Sequence, residues 1–185
     1  MTANNPEKEV EIVTIICALH DPKRRETWMG ADSWTIAGTL IYPIKATKWF
    51  RCGKWMAGVA GMASVALEMQ RKASRFGNLG PQEFANKMHT IYEPLAKMED
   101  EKSDLRVSAI IARPEGAWSI DGFCAMPAGD KFIASGSGDL VAYGAAYAAS
   151  KTGRMAPKDI VRTAVMAAIE YTTDCGGNIY VQVTR

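Results

Sequence analysis

The hydrophobic and polar positions change their period along the chain, and each change predicts a new secondary structure. Residues 9–19 are β-branched and apolar enough for a strand, and residues 27–36 predict a returning strand after a polar turn, so the two segments predict a β-hairpin. Residues 45–51 and 54–59 predict a second strand pair, joined by a short turn. The first third of the chain therefore reads as two antiparallel hairpins.

Apolar residues then recur every three or four positions, which is the period of an amphipathic helix. The helices predicted in this way run from 62 to near 77, 81–98, 139–151 and from 157 onward. Further strands are predicted at 105–112, 117–121, 132–135 and 179–184.

The helices come in adjacent pairs between blocks of strands, which argues against the strict alternation of a doubly wound parallel sheet. We predict an α+β fold in which two antiparallel sheets form a four-layer α-β-β-α sandwich flanked by helix pairs. A strand covered on both faces should be apolar on both faces, as residues 12–19 largely are.

Composition is consistent with one domain. The chain has 185 residues, of which 48% are hydrophobic, and this is enough to bury a single core. It contains no linker, repeat or low-complexity tract. We assign residues 1–8 to a flexible N-terminal extension and residues 9–185 to one folded domain.

Charge and residue counts exclude several classes of function. With 22 basic and 20 acidic residues the net charge is +2, which gives no field to gather nucleic acid or an anionic membrane. The chain has only two histidines, which argues against a multi-histidine metal site and against a histidine-based catalytic triad. Its four cysteines form no CxxC pair, so the sequence does not support a zinc site. We therefore expect no metal, no cofactor and a chemistry that does without histidine.

The same inspection predicts where the protein resides. The first eleven residues are polar and charged and lack the apolar stretch of a secretory signal. The longest uncharged runs are too short to span a bilayer. Four widely spaced cysteines fit free thiols in a reducing compartment. We expect a soluble cytoplasmic protein.

Six short segments follow one another in an order that matches a known family. They are Thr14-Ile15-Ile16, the stretch GADSWTIAG at 30–38, Lys48 sixteen residues after Asp32, MAGVAG at 56–61, ASGSG at 134–138 and CGGNI at 175–179. In these segments the chain resembles β-type subunits of the proteasome superfamily, above all the bacterial peptidase HslV and the ancestral bacterial proteasome homologues. The resemblance covers roughly residues 12–183.

The resemblance implies an N-terminal-nucleophile hydrolase with the sandwich fold predicted above. In that family the first residue of the mature chain is a threonine whose hydroxyl attacks a peptide carbonyl, while its α-amine, or a water beside it, takes the proton. A lysine held by an aspartate lowers the pKa of these groups, and a backbone amide in the glycine-containing turn of segment 56–61 forms the oxyanion hole. Asp32 resembles that aspartate, Lys48 the lysine and Ser137 a serine that bonds near the amine.

The position of the nucleophile has two readings. If Thr14 is the nucleophile, the Val13–Thr14 bond must be cut to free its amine, and the chain is a threonine endopeptidase that is latent until it is processed. If the family's strand is aligned one residue earlier, Val13 takes the nucleophile position and has no hydroxyl. The chain would then be a non-catalytic, proteasome-like assembly subunit. An amidase of the same fold acting on a small amide is a third, weaker reading.

The resemblance also implies partners. Relatives form stacked rings of six or seven subunits with their sites facing an inner chamber, so we expect a homo-oligomeric ring of six or seven copies. The expected substrate is a peptide or an unfolded protein. An ATP-dependent unfoldase is a further expected partner, whereas nucleic acid and membranes are not.

Overall fold

The computed structural model describes residues 14–37, 40–43, 48–61, 63–77, 79–98 and 107–185. The strands are β1 (Ile16–Asp21), β2 (Glu26–Ala31), β3 (Trp34–Ala37), β4 (Leu40–Pro43), β5 (Trp49–Cys52), β6 (Trp55–Ala60), β7 (Ser108–Arg113), β8 (Gly116–Asp121), β9 (Cys124–Pro127), β10 (Ile133–Ser135) and β11 (Tyr180–Thr184). The helices are α1 (Ala63–Arg71), α2 (Pro81–Met98), α3 (Asp139–Lys151) and α4 (Pro157–Tyr171), with a 3₁₀ turn at Ala73–Arg75.

Two antiparallel sheets organise these strands. One has four strands in the order β10-β1-β2-β11, and the other is a five-stranded meander in the order β5-β6-β7-β8-β9. Strands β3 and β4 form a separate two-stranded hairpin. Helices α1 and α2 contact the five-stranded sheet, and α3 and α4 contact the four-stranded sheet.

Three clusters of buried apolar residues fill the spaces between the four layers. Phe84 and Met88 of α2 are buried with Ile111 of the five-stranded sheet, while Val161 and Val165 of α4 are buried in a second cluster against the four-stranded sheet. A third cluster lies between the sheets and contains residues of both. The predicted α-β-β-α sandwich is therefore confirmed.

Alternation along β1 explains why that strand is apolar throughout. Cys17 belongs to the cluster under α3 and α4, whereas Ile16 and Ala18 belong to the cluster between the sheets. Successive side chains of a strand point to opposite faces, so a strand in an inner layer needs apolar residues at both odd and even positions.

The structure differs from the sequence prediction in a few elements. The strand predicted over 27–36 is broken at Asp32 and Ser33, because the N–H groups of Ser33 and Trp34 both donate to the carbonyl of Gly176 instead of to a strand. Strands β4 and β9 were not predicted; the residues of β9 are mostly exposed and carry little apolar pattern.

Some predictions fall outside the described part of the chain. Residues 9–13 of the first predicted strand and residues 45–47 of the third lie there, as does the boundary between the predicted extension at 1–8 and the domain at 9–185. Among the helices that the structure does describe, none combines the length and the apolar character needed to cross a bilayer.

Candidate active site

Four segments of the chain reach the same end of the four-stranded sheet. Ile16 pairs with Ser135 of β10 and with Ala31 of β2, and Ala31 pairs with Tyr180 of β11. Because neighbouring strands are antiparallel, this row brings together the starts of β1 and β11 and the ends of β2 and β10. The residues just beyond the row are Thr14, Asp32, Ser137 and Gly176.

Asp32 lies at the centre of this group and is completely buried. Its Oδ1 accepts hydrogen bonds from the Lys48 ammonium at 2.6 Å, from the Thr14 hydroxyl at 3.2 Å and from the Ile15 N–H at 3.2 Å. Its Oδ2 accepts the N–H of Gly176 at 3.0 Å. A buried carboxylate is tolerated only when such donors replace water, so these four contacts fix its position.

Lys48 reaches Asp32 from the opposite sheet, since it stands directly before β5. Its side chain is only 9% exposed. Burial lowers the pKa of the Lys48 ammonium, and the neighbouring Asp32 carboxylate opposes that effect without cancelling it. Lys48 is therefore a cation that gives up its proton more readily than a surface lysine does.

Both main-chain polar groups of Thr14, its N–H and its carbonyl, have hydrogen-bond partners, and the residue is 3% exposed. Its N–H donates to the Ser137 hydroxyl at 3.2 Å, and its carbonyl accepts the N–H of Gly138 at 3.4 Å and faces the Ser137 hydroxyl at 3.4 Å. Gly136, directly before Ser137, has φ +113°, and a Cβ there would collide with the Thr14 carbonyl oxygen. The loop before α3 therefore needs a glycine at 136 to reach Thr14 this closely.

Cys175 completes the polar group around Ser137. Its thiol lies 3.9 Å from the Ser137 hydroxyl and is 2% exposed. Burial raises the pKa of the Cys175 thiol, so the group is an uncharged, weak hydrogen-bonding partner near neutral pH.

The structure thus brings all four predicted site residues together. Thr14 and Lys48 share one oxygen of Asp32, and Ser137 binds the main chain of Thr14. Val13, the other predicted occupant of the nucleophile position, lies outside the described residues. The catalytic roles of these side chains stay predictions.

Sequence reasoning did not assign the Gly176 N–H as a donor to Asp32. These two residues are 144 positions apart, and no local pattern links them. The only signal was the Gly176-Gly177 pair before the last strand, which marks a tight turn without saying what it touches. Across the part of the chain that is described, no cluster of three or more His, Cys, Asp or Glu residues is arranged to hold a metal ion.

Comparison with solved structures places this arrangement among known folds. BPH of Thiobacillus denitrificans in complex with epoxomicin is similar with a TM-score of 0.69 and 26% identity, covering 92% of this chain and 97% of that chain. A second structure of the same BPH gives a TM-score of 0.68 and 26% identity, covering 92% and 96%. The eukaryotic HslV from Trypanosoma brucei gives 0.67 and 24%, covering 92% and 98%.

No protein-family model matches the chain, and no curated protein matches it either. The similarity therefore rests on structure, at low sequence identity. The structural neighbours are HslV-type, proteasome-like proteins, and the α+β sandwich of two antiparallel sheets with four helices is the fold of these N-terminal-nucleophile hydrolases.

Proposed function

We propose that this chain is a proteasome-like subunit that acts as a threonine endopeptidase once the Val13–Thr14 bond has been cut, with Thr14 as its nucleophile. One observation carries the proposal: the Thr14 hydroxyl and the Lys48 ammonium bind the same buried oxygen of Asp32, at 3.2 and 2.6 Å. A cation held next to a hydroxyl favours its deprotonated form, which is one of the ways in which a nucleophile is activated.

The main-chain contacts of Thr14 support the same role. In the uncut chain the Thr14 nitrogen is a peptide N–H, which can donate to Ser137 but cannot take up a proton. Cutting the bond turns this nitrogen into an α-amine, a group that ordinarily titrates near pH 8. It lies close to the Ser137 hydroxyl and belongs to the same residue as the Thr14 hydroxyl. That amine is the general base for the Thr14 hydroxyl. Lys48 lowers the pKa of the amine and of the hydroxyl electrostatically, and Asp32 keeps Lys48 in place.

The test combines the state of the N-terminus with activity. The purified protein is examined by intact mass and N-terminal sequencing, and its hydrolysis of fluorogenic peptides is measured for the wild type, T14A and T90A. Thr90 is a matched control, because it is exposed on α2 and its hydroxyl bonds the Asn86 carbonyl of its own helix. We expect a chain that begins at Thr14, activity that is lost in T14A and unchanged in T90A, and inhibition by epoxomicin.

A non-catalytic assembly subunit is the second candidate, and the β-branched Val13 before Thr14 favours it, because such a residue hinders the tight turn that self-cleavage needs. A fully assembled protein that keeps Val13 and hydrolyses no peptide would establish this second candidate. Peptide hydrolysis that persists in T14A would contradict both Thr14 as the nucleophile and the alignment that places Thr14 at the nucleophile position.

The proposal includes an assembly and a compartment. We infer a homo-oligomeric ring of six or seven copies, stacked in pairs, that takes unfolded protein from an ATP-dependent unfoldase in the cytoplasm. Before the Val13–Thr14 bond is cut, residues 1–8 are an extension outside the domain at 9–185. All four cysteines are unpaired, which fits a reducing compartment. Sedimentation velocity of the purified protein measures the ring size, and a monomer at micromolar concentration would contradict it.

A further inference from the structure

The turn that follows α4 touches both halves of the candidate site. Gly176 donates its N–H to Asp32, which binds Lys48, while Cys175 lies beside Ser137, which binds the Thr14 main chain. A shift of this turn would therefore change the surroundings of the carboxylate and of the Thr14 nitrogen at the same time. The contacts that hold this turn in place therefore affect the geometry of the candidate site.

The turn is bound by the segment that carries Asp32. The N–H groups of Ser33 and Trp34 both donate to the Gly176 carbonyl, at 3.1 and 3.2 Å, and the Asn178 N–H donates to the Ser33 hydroxyl at 2.8 Å. Together with the Gly176–Asp32 bond, these contacts form a short ladder between residues 32–34 and 176–178.

The indole of Trp34 lies directly on this ladder. The three atoms nearest to a Cβ built on Gly176 all belong to the Trp34 ring, the third of them at 2.6 Å, and a Cβ on Gly177 would lie 2.7 Å from Trp34 Cδ1. The absence of a Cβ at these two glycines is what lets the ring approach the turn this closely.

We propose that Trp34 is a positioning residue, whose indole presses the turn at 175–177 onto Asp32 and thereby fixes the Gly176 donor and the Cys175 thiol. The inference rests on the proposed function for its effect on catalysis, but not for its structural part. An aromatic ring of this size buries enough area to hold a turn that has few side chains of its own.

The structure offers a matched pair of glycine substitutions. Gly176 is not among the glycines with a positive φ, and the three atoms nearest to a Cβ built there all belong to Trp34, so G176A should be harmful in the wild type and tolerated once Trp34 is removed. Gly177 has φ +79°, which strains an alanine whatever the space around it, and its Cβ would also meet the Ser33 hydroxyl. G177A should therefore stay harmful in both backgrounds.

The first readout needs no enzymatic activity. The rate at which N-ethylmaleimide alkylates Cys175 in the native protein is followed by peptide mass mapping, with Cys17 as an internal reference because it is fully buried in the same layer. We expect W34A to raise the Cys175 rate about tenfold or more through local opening while the Cys17 rate stays unchanged. W34F should remain within about twofold of the wild type, and adding G176A to W34A should change the rate by less than about twofold.

The second readout separates positioning from substrate binding. In a processed, active protein, W34A should lower kcat about tenfold with KM within about twofold, and W34F should restore kcat. If no variant, including the wild type, hydrolyses peptide, the proposed function fails and the alkylation rates alone decide the placement of the turn. An unchanged Cys175 rate in W34A, a parallel rise at Cys17, or a G176A effect that persists without Trp34 would overturn the inference.

Discussion

Replacing Asp32 by asparagine keeps the shape of the side chain and removes its charge. The wild-type carboxylate is fully buried and lies 2.6 Å from the Lys48 ammonium, whose side chain is only 9% exposed. Removing one partner of a buried ion pair leaves the other charge uncompensated, which typically costs about 3–5 kcal/mol. We expect D32N to lose roughly this amount of free energy of unfolding at pH 7.

The pH dependence of that loss gives a sharper test. Burial lowers the pKa of Lys48 and Asp32 opposes this, so in D32N the pKa of Lys48 falls further. A lysine whose folded pKa lies below its unfolded value destabilises the folded state below the folded pKa. This penalty is relieved as the pH rises toward the unfolded value of about 10.4, because the unfolded chain binds more protons in that window. The difference between wild type and D32N should therefore narrow between pH 7 and 10, by at most about 1.4 kcal/mol per pH unit.

The assay is urea unfolding at pH 7, 8, 9 and 10, at one protein concentration, for the wild type, D32N, K48M and D32N/K48M. The double variant has neither charge, so it should be more stable than D32N at pH 7. A loss below about 1 kcal/mol, a difference that does not narrow with pH, or a double variant as unstable as D32N would refute the reasoning.

Three further predictions follow from other parts of the fold. G136A should lower the free energy of unfolding by about 2 kcal/mol or more in urea titrations, because φ is +113° there, whereas G144A, which enters open space on α3, should be neutral or stabilise by up to about 1 kcal/mol. F84A should lose about 3–5 kcal/mol by the same measurement, because Phe84 is fully buried with its ring edge-on to Trp55 at 5.2 Å; a loss under about 1 kcal/mol would contradict this packing. In the native wild type one thiol, Cys124, should react rapidly with Ellman's reagent, because it is the exposed cysteine and the other three are buried; a second rapid equivalent would contradict this burial.

Much of the fold could be predicted because its signals are local. The period of three to four residues in α2 and α4 follows from a single buried stripe, and both helices begin at a proline as predicted. The apolar run of β1 predicted a strand in an inner layer, which the two clusters on its faces confirm. By contrast, β9 is an exposed edge strand with one side open, so its pattern carried no comparable signal.

The candidate site was predictable only in part. Asp32 and Lys48 could be paired through their spacing in a family resemblance, and the structure joins them across two sheets. The break after β2 and the contact of Trp34 with the glycine turn could not be predicted, since both depend on residues near position 176 that folding alone brings to this place. Physical reasoning from one sequence finds periodic features more easily than single long-range contacts.

The distance along the chain between Asp32 and Gly176 has a consequence for biogenesis. Their bond spans 144 residues, which a ribosome adds in roughly 7–30 s at about 5–20 residues per second. Until then a nascent chain holds the Asp32 carboxylate without its Gly176 donor, and β2 without β11 on its outer edge. The candidate site therefore assembles only late in synthesis, and a growing chain does not contain the complete set of contacts around Asp32 until residue 176 has been added.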